Sequence, residues 1–99
     1  MGGSLSDLDG DWRVERLSGL LPPMPGVWKR IRGSRGETRL GPLPGIPFQV
    51  EQREGSIALI YRRPFSMIID KLWNESERSW VGQATVIGLE LGRFRMSRR

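Results

Sequence analysis

Apolar residues recur at every second position through most of this chain, in short runs broken by glycine and proline. A two-residue period is the signature of half-buried strands. Between Asp11 and Leu17, Trp12 and Val14 fall on one face while Arg13 and Glu15 fall on the other. Val27 to Arg32 is the next strand, and Gly33-Ser34-Arg35-Gly36 supplies the backbone freedom for a tight turn into Glu37 to Leu40. Gly41-Pro42-Leu43-Pro44-Gly45 is a rigid corner. Beyond it Ile46, Phe48 and Val50 alternate with Pro47, Gln49 and Glu51, and Pro47 marks an edge or a strand start. Glu54-Gly55 turns the chain into Ser56 to Arg62, where Ile57, Leu59 and Tyr61 share a face. Ser79 to Ile87 places Trp80, Gly82, Ala84 and Val86 together, with small residues that allow close backbone approach. Gly88 to Gly92 forms the last turn and Arg93 to Arg98 the closing strand, with Phe94 and Met96 facing one way.

Two stretches are less plain. Phe65 to Trp73 also fits a helical stripe, with Pro64 suited to a helix start. Its β-prone Met67-Ile68-Ile69 centre and the turn-like Asn74-Glu75-Ser76-Glu77 favour a strand. The segment Leu20 to Gly26 is rich in proline and apolar for a loop, which predicts that it folds over an open end of the core. Short strands about ten residues apart, joined by turns, predict an all-β fold. It is a compact antiparallel up-and-down meander of about eight short strands, closed into a small barrel or half-barrel. Residues 1–6 read as a disordered or expression-derived N-terminus and 7–99 as a single domain.

Composition narrows the chemistry. The 99 residues contain no cysteine and no histidine, which removes disulfides, thiolate nucleophiles, histidine triads, histidine-ligated haem and the usual zinc sets. No cofactor and no metal are expected. Sixteen Lys and Arg against eleven Asp and Glu give a formal charge of +5, spread along the chain. No apolar run is long enough for a membrane span, and the N-terminal stretch lacks the features of a signal peptide, so a cytoplasmic location is expected. A small core and apolar loops also point to a homodimer.

The candidate chemistry lies with a few polar residues. A register that buries Ile68 and Leu72 turns Asp70 inward, where a carboxylate needs a partner, and Tyr61 or Arg16 is in position to provide one. Arg16, Arg30 and Arg32 share strands with Trp12, Val14 and Trp28 and are candidates to enter the lumen and hold a carboxylate head group. A ligand tail would then lie against Phe48, Leu59, Met67 and Val86. The bland readings are equally concrete: a structural ion pair for Asp70, solvated arginines, and core duty for Trp12 and Trp80.

Gly10-Asp11-Trp12 at the head of the first strand, with the arginine-rich Gly92-Arg93-Phe94-Arg95-Met96-Ser97-Arg98 at the end, resembles the calycin signature of lipocalins. The resemblance implies that the tryptophan closes one end of a barrel while a basic residue of the last strand lies across its indole. Gly10, Trp12, Arg93 and Arg95 are the residues matched to it. The layout of Trp12 to Gly19, Pro44 to Phe48, Trp80 to Ala84 and Gly92 to Arg95 is similar to small lipocalin-like bacterial proteins, a likeness that brings no activity with it.

The function expected is non-catalytic binding of a small apolar or amphipathic ligand, including one with a carboxylate. The site is Arg16, Trp28, Arg30, Phe48, Leu59, Tyr61, Met67, Asp70 and Val86. The alternatives are a small-barrel isomerase, cyclase or decarboxylase using Asp70 and Tyr61, and a basic barrel that stacks single-stranded nucleic acid on Trp28 or Trp73. The last is disfavoured because no RNP-like or glycine-lysine-rich signature is present.

Overall fold

A computed structural model describes residues 5–21 and 25–99. One 3-10 turn, Leu5–Leu8, precedes eight strands: β1 Gly10–Gly19, β2 Val27–Arg32, β3 Arg35–Leu40, β4 Ile46–Arg53, β5 Ser56–Tyr61, β6 Ile68–Ser76, β7 Ser79–Val86 and β8 Leu89–Arg98. Each pairs antiparallel with its neighbour in sequence, and β8 returns to β1, so the meander closes into a barrel. Closure gives every strand a neighbour on both sides. Residues 1–4 and 22–24 lie outside the described residues, and with them most of the N-terminal expectation and the centre of the Leu20 to Gly26 loop.

The strand alternative holds for the ambiguous segment, but only from Ile68 onward. Ile68 to Asn74 pairs residue by residue with Val86 to Trp80, while Pro64 to Met67 forms the connection. Two expected turns shrink to two residues each. β6 runs to Ser76 before turning at Glu77-Arg78, and β7 turns at Ile87-Gly88, with Ile87 taking the left-handed conformation at φ 52°. The stretch from Leu89 to Gly92 therefore belongs to β8. It contains a bulge, because Ala84 pairs with Gly92 but Thr85 pairs with Glu90. The extra residue, Leu91, bends the strand and turns its own side chain to the interior.

The period-2 pattern fills the barrel with Trp12, Ile31, Phe48, Ile57, Leu59, Leu72, Trp80 and Met96, all fully or almost fully buried. Two glycines make room for rings. A Cβ on Gly82 would strike the Phe94 ring, and one on Gly36 would lie 2.7 Å from Phe48 Cε1. At one pole the turns Gly33-Ser34, Glu54-Gly55 and Glu77-Arg78 are polar and Leu8 plugs the interior, its carbonyl accepting from Trp12 Nε1 at 2.7 Å. Arg98 lies 4.3 Å above the Trp12 ring and donates to the Asp9 and Asp7 carbonyls at 2.9 and 2.8 Å. Gly10 is needed there: its φ is +129°, and a Cβ would meet Arg98 Nη1 at 2.9 Å.

Candidate functional site

The opposite pole carries the connections β1–β2, β3–β4, β5–β6 and β7–β8, and the lumen there is not filled. A cavity of about 340 Å³ extends inward from it, at the lower end of the about 300–1,000 Å³ usual for small-molecule pockets. Strand ends supply its apolar walls: Val14 and Leu21 from the β1 side, Val27 from β2, Leu40 from β3, Ile46 from β4, Ile68 from β6, Val86 from β7 and Leu91 from β8. Phe65 leans in from the β5–β6 connection.

The polar part is one compact cluster of four lining residues, Lys29, Thr38, Tyr61 and Asp70, each from a different strand and each buried. Lys29 Nζ donates to Thr38 Oγ1 at 2.6 Å and to the Tyr61 hydroxyl at 2.7 Å, and stands 3.4 Å from Asp70 Oδ2. The Tyr61 hydroxyl donates to Asp70 Oδ2 at 3.2 Å, and lies 2.6 Å from Thr38 Oγ1. The ammonium also sits 5.4 to 5.6 Å from the ring centres of Phe48, Tyr61 and Phe94, inside the range of cation–π attraction. Lys29 thus donates to two hydroxyl oxygens and sets its charge against a carboxylate and three rings.

Titration follows from this geometry. Burial pulls Lys29 downward, but its electrostatic interactions and hydrogen bonds with Tyr61 and Asp70 outweigh it and hold the ammonium above its ordinary value. Burial raises Tyr61, with Asp70 adding to the rise and Lys29 opposing it. The phenol is therefore neutral near neutral pH, and the ion-pair partner of Lys29 is Asp70.

Of the residues singled out from sequence, Tyr61, Asp70 and Val86 line this cavity. Phe48 lies against the cluster, its ring edge-on to Tyr61 with centroids 5.4 Å apart, and Leu59 is fully buried opposite Asp70. Met67 is exposed in the β5–β6 connection. Arg16 stays at the rim, where Nε and Nη2 donate to the Leu21 and Gly19 carbonyls at 2.6 and 2.7 Å and pin the start of the β1–β2 connection.

Trp28 and Arg30 are not in the lumen. Val27 and Ile31 are the inward aliphatics of β2, so the residue between them, Lys29, enters while Trp28, Arg30 and Arg32 face outward. Arg30 pairs with Asp11 at 3.0 Å and packs on Trp28 from outside. At the plugged pole the residue over the indole is Arg98; Arg93 and Arg95 instead reach Glu90 and Glu75 on the outer surface. Sequence reasoning passed over Lys29 and Thr38, although Val27 and Ile31 flanking Lys29 at two-residue steps carried the signal.

A larger groove of about 590 Å³ runs along the outer wall between β1 and β2, past Arg13, Trp28 and Arg99. Among the described residues it meets the lumen only through Val14 and Val27 and has no convergent buried polar group, so the lumen is the better site. Trp28 on β2 and Trp73 on β6 stand four strands apart around the eight-stranded ring and cannot form one stacking platform. Among the described residues no three His, Cys, Asp or Glu side chains gather to share a metal ion, and no helix is long and apolar enough to cross a membrane. Comparisons with protein-family models, with curated proteins and with solved structures found no match to this chain.

Proposed function

We propose that the protein is a calycin-like binding barrel whose lumen takes a small apolar or amphipathic molecule. The observation that carries this reading is an apolar cavity with a single polar cluster among its walls, the pattern of a site that excludes water from a hydrocarbon body and orients it by one polar end. Supporting the calycin comparison is Arg98, a basic residue of the last strand lying over the first-strand tryptophan, in the arrangement that the resemblance implies.

Binding is favoured over catalysis by the state of the cluster. A general acid or base works best when its pKa lies near the operating pH, whereas Lys29 and Tyr61 are both displaced upward, away from neutrality. Their protons are also committed within the cluster, Lys29 donating to Thr38 and Tyr61, and Tyr61 donating to Asp70. Because Lys29 is already paired with Asp70, the ligand end that suits the cluster best is neutral and hydrogen-bonding, such as a hydroxyl or a carbonyl. A carboxylate would have to compete with Asp70 for Lys29.

The test is displacement of Nile red by decanol and by decanoate, with native mass spectrometry of the untreated protein to detect a retained molecule. Val86→Trp, at the cavity wall, and Ala84→Phe, deeper in, should each abolish dye uptake while the β-sheet circular dichroism signal persists. Decanol should displace the dye at lower concentration than decanoate. Dye uptake unchanged in both variants would overturn the lumen as the site.

A further inference from the structure

The two poles of the barrel differ in what they show to their surroundings. All four connections at the open pole present large apolar side chains: Leu20 after β1, Leu43 between β3 and β4, Phe65 and Met67 between β5 and β6, and Ile87 with Leu89 at the β7–β8 turn. Three of them are extreme, at 84% exposure for Leu20, 78% for Ile87 and 75% for Leu89. A soluble surface scatters such residues, yet here they ring one opening.

Charge is sorted in the same way. The connections 20–26, 41–45, 62–67 and 87–88 contain no aspartate or glutamate, and their only charged residues are Arg62 and Arg63. Both arginines are exposed, and among the described residues neither forms an ion pair. The turns of the plugged pole instead carry both signs, Glu54 and Glu77 with Arg78. An apolar ring with unpaired cations beside it complements a surface that is hydrocarbon below and anionic above. That is the acidic face of a lipid bilayer, into whose headgroup layer exposed apolar side chains insert while arginines meet phosphates.

We propose that the open pole docks on acidic lipid surfaces, with the apolar ring inserted and Arg62 and Arg63 on the lipid phosphates, so that the lumen faces the bilayer. A second copy of the chain is the competing occupant, but two such poles would bring four like-charged arginines together with no acidic residue from these connections to offset them.

Flotation with vesicles of phosphatidylcholine alone, and of equal parts phosphatidylcholine and phosphatidylglycerol, tests the assignment on the full chain. Binding is expected to the acidic vesicles and to weaken as salt is raised. Arg62→Gln with Arg63→Gln should lower partitioning about 30-fold, each arginine contributing about fivefold. Leu20→Ser, Ile87→Ser and Leu89→Ser should each lower it about tenfold, with melting temperatures close to the parent because all three sites are exposed. Ala84→Phe, buried in the lumen away from the ring, should float as the parent does, which separates docking from the lumen reading. Absence of flotation, equal binding to neutral vesicles, or sedimentation showing a dimer that these serine variants dissolve would each overturn the proposal.

Discussion

Lys29 shows how much one buried charge can govern. Removing one member of a buried ion pair typically costs about 3–5 kcal/mol, because the other charge is left without compensation. A domain of this size has about 5–15 kcal/mol of total stability. Lys29→Met should therefore lose a large part of the fold's stability in urea titration, and Lys29→Met combined with Asp70→Leu should recover some of it. If the double variant were less stable than the single one, the ion-pair account of the cluster would be wrong. Gly82→Ala is the second sensitive site: a methyl group there drives into the Phe94 ring, and overpacking of this kind costs about 1–3 kcal/mol, readable as a lower urea midpoint. At this scale the sequence was legible for Tyr61 and Asp70, whose inward facing follows from aliphatic neighbours two positions away. It was misread for Arg30, because three cations in Lys29, Arg30 and Arg32 mask the alternation that only Val27 and Ile31 define.

Among the elements, strand identity was written in the period-2 pattern and the ends were not. Turn residues such as Asn74 and Glu75 can continue a strand when a partner strand offers hydrogen bonds, which is why β6 outruns its expected end. Gly92 reads as a turn residue, yet it lies within β8, where Cβ would strike the Ser18 carbonyl and Leu21. Its glycine reflects close approach of neighbouring chain, not reversal of direction. The bulge at Leu91 leaves no sequence signature of its own. Pairing strength is also uneven around the ring. β1 pairs with β2 only over Gly10 to Arg13, against Trp28 to Ile31, whereas β7 pairs with β8 along its whole length. Amide exchange should consequently be slowest in β7 and β8, and the Val27 amide should exchange faster than those of the β7–β8 ladder. Uniform protection around the ring would contradict this.

For the whole molecule, pH dependence follows from the shifted groups. Lys29 and Tyr61 have ordinary values of 10.5 and 10.0, and both are raised in the fold. The folded state therefore holds these protons more tightly than the unfolded chain. Their contribution is complete below about pH 10 and is lost as pH climbs further. Asp11 and Glu75 act at the other end: hydrogen bonds from Arg30 and from Arg95 lower them, so their stabilisation is present above the usual carboxylate range and is lost in acid. Glu75 is exposed and Asp11 only half-buried, so the acid limb should be shallow. Urea midpoints should stay nearly level from about pH 5 to about pH 9 and fall steeply beyond about pH 10. The closed, all-β architecture was legible from strand spacing, while the emptiness of one pole was not, since vacancy depends on which side chains share a layer.

Leu5 and Arg99 lie at the plugged pole, where Arg98 reaches the Asp7 carbonyl at 2.8 Å and the Arg99 amide donates to Asp11. The Glu54-Gly55 turn lies at the same pole, so cutting the chain there should leave all four connections around the lumen intact. A fluorescent or affinity tag fused at Leu5 or Arg99 would trail from the far side, leaving the entrance to the lumen free.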